Sequence, residues 1–166
     1  MKRNRGFTLV ELMITVIVIA VVATVAVPNF ARVIESTRLT GYSSELVSAV
    51  NTARSEAIKR GSRVGVCASN DQATCSGSDD WSTGWIVYVD DGSGNVDEVL
   101  RVREAFDGDV SIDGQSGASG LTYRDTGAVL DAVGIEIDIP SCDGGTARTV
   151  SVNLAGRPEV AQGSCG

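Results

Sequence analysis

The side chains of this 166-residue chain best suited to covalent or metal chemistry are four cysteines, Cys67, Cys75, Cys142 and Cys165. Zinc is the weaker reading. No Cys-x-x-Cys pair occurs, and the sequence has no histidine to complete a ligand set. The same lack removes the imidazole that most often serves as general base. An even number of cysteines in an oxidising compartment suits disulfides. Of the three pairings, sequence locality favours Cys67–Cys75 and Cys142–Cys165. The first would tie a loop and the second would pin the end of the chain.

Other candidates are weighed in the same way. Asp90, Asp91, Ser93, Asn95, Asp97 and Glu98 are rich in oxygen ligands, but their spacing does not match a calcium loop with its Glu at the twelfth position. Turn chemistry favours a hairpin there. Trp81 and Trp85 flank Gly84 and could stack a base or a ligand, although such residues more often fill a core. No nucleophile elbow, phosphate loop or dinucleotide fingerprint is present. The scattered carboxylates of so acidic a chain, with formal charge −7, read as solvated surface. The sequence therefore predicts no enzyme, no cofactor and no metal site.

One carboxylate stands apart. Glu11 is the single charge in the apolar run from Phe7 to Val27. That run has 21 residues, enough at about 1.5 Å each for the roughly 30 Å of a bilayer core. An isolated segment in lipid must be helical to satisfy its own backbone. An ionisable group there costs about 2.5–3.5 kcal/mol on insertion scales and marks function by default. Lys2, Arg3 and Arg5 precede the run and hold that end in the cytoplasm. Pro28 interrupts after Val27 and predicts a kink or a new turn.

A short basic leader, Gly6-Phe7-Thr8-Leu9, a Glu five residues after Gly6 and an unbroken apolar run together resemble the class III signal of type IV pilins and type II secretion pseudopilins. The resemblance implies that a prepilin peptidase cuts after Gly6 and N-methylates Phe7. It also implies that Glu11 meets the N-terminal amine of a neighbouring subunit during assembly. Loss of the leader leaves 11 basic against 21 acidic side chains, a balance of −10.

Beyond Pro28 the helical pattern resumes. Leu39, Tyr42, Leu46, Val50, Ala53 and Ala57 recur at spacings of three and four and mark one apolar face. Gly61 follows Lys59 and Arg60 as a helix stop. The period then changes to two. Strands are expected at 63–68, 84–89, 98–103, 110–112, 121–123, 128–130, 135–139, 149–154 and 159–162. The predicted organisation is a leader at 1–6, a transmembrane and filament-core helix at 7–30, an amphipathic second half at 31–61 and a globular β domain at 62–166.

A strand ending in Cys67, a loop closing at Cys75, Asp80-Trp81-Ser82-Thr83-Gly84-Trp85 and an Asp-rich hairpin narrow the resemblance. With Cys142, Ala155-Gly156-Arg157 and a final Cys165, it is to the GspH/FimT/FimU family of minor pilins. The resemblance implies an α+β fold, a long spine helix packed on an antiparallel sheet or β-sandwich. It implies a minor pilin that primes or caps a type IV pilus near its tip. The alternatives are a GspH-like pseudopilin of type II secretion and a pilus-associated DNA receptor. Expected partners are other major and minor pilins or pseudopilins, the prepilin peptidase, the inner-membrane assembly platform and, before assembly, membrane lipid. The expected location is the inner membrane, with the globular domain periplasmic, and then the pilus on the cell surface. The DNA-binding branch carries Gly-Arg-x-Arg, whereas this chain reads Gly156-Arg157-Pro158-Glu159. A carboxylate beside Arg157 repels phosphate, so Arg157 is a poor DNA contact and DNA is not an expected partner.

Cleavage is predicted between Gly6 and Phe7. Mass spectrometry of the mature N-terminus should find methylated Phe7, and Gly6→Val should leave the leader in place. A terminus after Ala20 or Ala26 would refute this reading.

Overall fold

The computed structural model describes residues 7–108, 110–139 and 146–164. They form one long helix, α1 (Leu9–Arg60), followed by eight strands. The chain divides into two compact units, Met1–Ser36 and Thr37–Gly166.

In the first unit the Glu11 amide donates to the Thr8 hydroxyl at 3.2 Å. Thr8 thus caps the helix, with Glu11 three residues on, as in a capping box. Further along, the Thr15 and Thr24 hydroxyls donate to the Leu12 and Val21 carbonyls at 2.8 and 2.7 Å. The polar atoms of these side chains are thereby satisfied inside the helix itself, as an apolar setting requires. α1 runs through Pro28 without a break, so no new helix starts there. Among the described residues no helix is long and apolar enough to cross a membrane.

In the second unit the strands form two four-stranded antiparallel sheets. One has the order β3 (Val96–Arg103), β2 (Trp85–Asp90), β1 (Val64–Ala68), β5 (Gly120–Tyr123). The other has the order β4 (Ser111–Gly114), β6 (Val133–Asp138), β7 (Thr146–Val152), β8 (Pro158–Ser164). A single core joins Leu39, Leu46, Val50, Ala53 and Ala57 of α1 to Val66 and Val87 of the first sheet and to Ile135, Ile137 and Val150 of the second. The amphipathic half of the helix therefore packs as its spacing predicts, with Tyr42 half-buried against the same core. The helix ends at Gly61, whose φ is +62°, and the Ser62 amide donates back to the Ala57 carbonyl at 3.3 Å. That bond and the left-handed glycine make a Schellman stop.

β1 and β2 are buried along their whole lengths because both faces of their sheet are covered. α1 lies on one face. On the other, Cys67, Ile86 and Tyr88 form a second cluster with Cys75, Val96 and Val99. Eight of the expected strands appear with boundaries shifted by one to three residues. The ninth, at 128–130, does not form. Arg124 and Ala128 close a tight turn instead, and only an isolated bridge joins Tyr123 to Val129. Its other amides go to single partners outside a ladder, Val129 to Leu154 and Leu130 to Thr122.

Leu46 is fully buried at the centre of the helix face. Leu46→Ala should cost about 2–5 kcal/mol in chemical denaturation of the globular unit. An exposed control such as Asn51→Ala should change stability by less than about 0.5 kcal/mol.

Candidate functional site

Three places in the chain carry the residues singled out by their chemistry. The first is the helix start. Gly6 lies outside the described residues. Phe7 is 80% exposed, and Glu11 is exposed in the first turn of α1. A carboxylate there also complements the positive end of the helix. The capping role of Thr8 was legible as Thr-x-x-Glu but has no counterpart among the expectations above.

The second is the loop after β1. Cys67 and Cys75 are joined, with Cα atoms 5.6 Å apart. Cys142 and Cys165, the other expected pair, lie outside the described residues. Within the closed loop Asp71 is the organising acceptor. It takes the Thr74 hydroxyl at 2.6 Å, the Thr74 and Ala73 amides at 2.8 and 2.9 Å and the Ser69 hydroxyl at 3.1 Å. These donors, the Thr74 hydroxyl foremost, hold its carboxyl well below the usual carboxylate range. Sequence reasoning passed over Asp71, although Asp followed by a threonine three residues on is a turn signal. The hairpin between β2 and β3 works in the same way. Asp90 accepts the Gly92 and Gly94 amides at 2.7 and 2.9 Å. Asp91 accepts the Ser93 amide at 2.7 Å and the Asn95 side chain at 3.0 Å, which lowers its pKa. Both carboxylates are engaged by their own turn.

Both tryptophans are core residues, which removes the stacking surface considered for them. Trp81 is fully buried and its ring N–H donates to the Ala118 carbonyl at 2.8 Å. Trp85 is 3% exposed, with its ring 5.4 Å from Phe106. Phe106 also meets Tyr42 edge-on at 4.8 Å and carries the Arg103 guanidinium at 4.0 Å. Arg103 is bonded in turn to Glu45 of α1 at 2.7 Å. This tie between β3 and the helix had no local sequence signal, because its members come from three separate segments. Beside it lies an open groove of about 490 Å³ between α1 and β3, floored by Ala49, Trp85 and Val87.

The third is the Gly156-Arg157 turn. Gly156 has φ +73°, and a Cβ there would lie 2.1 Å from the Gly127 carbonyl oxygen. The Tyr123 hydroxyl donates to the Gly156 carbonyl at 3.1 Å, and burial pushes that phenol up to about 12. The Arg157 amide donates to the Asn153 side chain at 3.2 Å. The glycine is structural, while the Arg157 side chain is exposed.

A capped apolar helix continuing into an amphipathic half, two antiparallel sheets and a disulfide-closed loop after the first strand define the pilin-like class. The chain belongs to the GspH family of type II transport proteins, whose model matches residues 43–156. Residues 1–27 match the prokaryotic N-terminal methylation motif. A fimbrial protein of Pseudomonas aeruginosa is 42% identical over 64 residues, which is 39% of this chain and 41% of that protein. The match thus spans well under half the length of this curated relative. The type IV major pilin protein PilA of Myxococcus xanthus is 60% identical over 30 residues, 18% of this chain and 14% of its own. The crystal structure of the type IV minor pilin FimU of P. aeruginosa superposes with a TM-score of 0.62 at 24% identity, covering 76% of this chain and 90% of that one. The minor pseudopilin EpsH of the Vibrio cholerae type 2 secretion system gives 0.52 at 15% identity, covering 74% and 95%. At these identities the two structures establish the fold alone.

Asp71 yields a pH prediction. Its folded pKa is depressed, so its support is fully present above the ordinary carboxylate value of 3.8. That support is lost as pH falls below 3.8 toward the lowered folded value. Asp71→Asn should speed hydrogen exchange at the Ala73 and Thr74 amides at neutral pH. The difference from wild type should shrink steadily as the solution is acidified from pH 3.8 downward through that window. Equal exchange in both proteins at pH 7 would show that the carboxylate does not hold the loop.

Proposed function

We propose that this chain is a minor pilin, a non-enzymatic subunit of a type IV pilus that helps prime or cap assembly near the tip. It is cut between Gly6 and Phe7 by the prepilin peptidase. Its apolar helix then rests in the inner membrane with the globular unit on the periplasmic side, until the assembly platform moves it into the filament. The observation that carries this reading is the apolar surface of the first unit. Every large apolar side chain described between Phe7 and Ile34 is 53–80% exposed. A helix apolar on all sides cannot remain in water, and lipid followed by a bundle of like helices satisfies it. Major and minor pilins supply those helices.

The fimbrial sequence relatives favour the pilus. The second reading is a minor pseudopilin of type II secretion, favoured by the family model over residues 43–156. Co-purification from membranes separates them. Pilins recovered with the full-length protein support the pilus, and pseudopilins support secretion.

Glu11 gives the mechanistic test. Removal of a charge eases insertion, so Glu11→Ala protein should reach the membrane and fold. It should then be several-fold depleted from sheared filaments, because it lacks the poorly screened pair with the amine of a neighbouring Phe7. Entry at wild-type levels would show that Glu11 serves the helix end and not assembly.

A further inference from the structure

β3 ends its sheet. It pairs with β2 alone, and among the described residues no backbone bond runs from it to any other segment. Its ladder with β2 shifts register between Val87 and Tyr88 and again between Val89 and Asp90. Such bulges twist an edge away from further pairing. Arg101, Val102 and Arg103 lie beyond both shifts and pair in order with Val87, Ile86 and Trp85. The far edge of these three residues is therefore regular and unpaired, and Val102 is 46% exposed on it.

The same stretch borders the groove beside α1. Helix and strand are tied at two places, Glu45 to Arg103 at 2.7 Å and Arg60 to Glu98 at 2.6 Å. Arg103 and Glu98 are five residues apart, so the ties stand roughly 16 Å from each other along the strand. Between them the helix wall is made of Ser44, Ser48 and Ala49, whose small side chains leave the gap of about 490 Å³ over Trp85 and Val87. The Ser44 hydroxyl already donates to the Thr40 carbonyl at 2.7 Å and asks nothing of a ligand. Arg103 is held by Glu45 and lies over the Phe106 ring. Arg101 is different. It lines the groove, is exposed, and among the described residues forms no ion pair and no side-chain hydrogen bond. From Val33 onward the chain has ten Lys and Arg against 20 Asp and Glu, so a cation left without a partner stands out. Beside an apolar floor it selects a carboxylate.

We propose that an extended, acidic segment of a different filament subunit docks here. It adds a strand along Arg101–Arg103, sets a carboxylate on Arg101 and lays an apolar side chain over Trp85 and Val87. The inference rests on the filament-subunit reading above. A strand uses all three features, because its backbone pairs with the free edge while alternate side chains enter the groove. A free phosphate would meet Arg101 and leave the edge and the floor unused. A helix would cover the floor and leave the edge unpaired. A second copy of this chain is the poorer occupant. The Glu98 of its own β3 is already held by Arg60, and a subunit that primes or caps has few neighbours of its own kind.

The test uses full-length protein in the membranes of cells that express it, with photoreactive benzoyl-phenylalanine in place of Val102. Irradiation should give an adduct with another subunit, and its cross-linked peptide should carry an Asp or Glu. Arg101→Glu should lower the yield roughly fivefold, the effect of one exposed pair replaced by repulsion. Arg101→Lys keeps the charge and should retain most of the yield. Ser48→Trp, at an exposed helix position, should fill the groove and lower the yield while the protein still folds. Changing the acidic residue of the captured peptide to Arg should restore the yield to the Arg101→Glu protein. The proposal is overturned by the absence of an adduct, by an adduct with a second copy, lipid or nucleic acid in its place, or by a yield indifferent to Arg101→Glu. Sheared filaments judge the underlying reading separately. If the charge-dependent adduct forms but the protein never enters filaments, the filament reading fails and this contact stands. If the protein enters filaments and gives no adduct, the contact fails and the filament reading stands.

Discussion

The globular unit depends on the burial of one stripe of α1. Leu39, Leu46, Ala49, Val50, Ala53 and Ala57 are 0–6% exposed, and both sheets close on them. The stripe narrows from Leu and Val to Ala toward the end of the helix. Small side chains let the backbones approach, and Val64, Val66, Tyr123 and Val150 fill the space they leave. Residues in such a core are close-packed, so volume at any one position is felt by its neighbours. The strands cannot form this core alone. Six of the eight have at least one open or half-exposed face, and β1 and β2 are fully buried only because the helix covers one side of their sheet.

The polar loops obey a second constraint, that carboxylates near the core find donors. Asp90 is 8% exposed and spends its oxygen on the amides of its own turn. Asp71, although exposed, gathers donors in the same way inside the disulfide loop. Tyr123 carries the principle to long range, since its buried hydroxyl closes the Gly156 turn 33 residues away in sequence. Satisfied polar groups of this kind specify one conformation, because the alternative is a buried donor or acceptor without a partner. These loops are therefore rigid supports for exposed residues such as Arg157.

The first unit follows a different logic. Its side chains are apolar on every side, and the polar atoms of Thr15 and Thr24 are returned to the helix backbone. Among the described residues, only Thr8 and Glu11 keep a polar feature at the start of the helix. The same helix changes character near residue 37, where the apolar pattern contracts from all faces to one. The first stretch presents apolar side chains on every side, and the second packs a sheet on one side and faces water on the other.

Much of this was legible in the sequence because the deciding interactions are local or periodic. The leader motif, the apolar run, the stripe at 39–57, the glycine stop and the Asp-rich hairpin each depend on residues within a few turns of one another. The Cys67–Cys75 pairing followed from nearness in sequence. Other features were set by tertiary structure. The strand expected at 128–130 had the right residue types, but its amides bond singly to Leu154 and Thr122 while Arg124 and Ala128 close a turn. Trp81 and Trp85 could be assigned to core or surface only once Ala118 and Phe106 were placed beside them. Asp113 and Glu136 lie 23 residues apart and become a like-charge pair solely through strand register. The groove beside Arg101 likewise needs α1 and β3 brought together by packing. Charge counts are written in a sequence, but which charges are neighbours is decided by the long-range contacts that close the core.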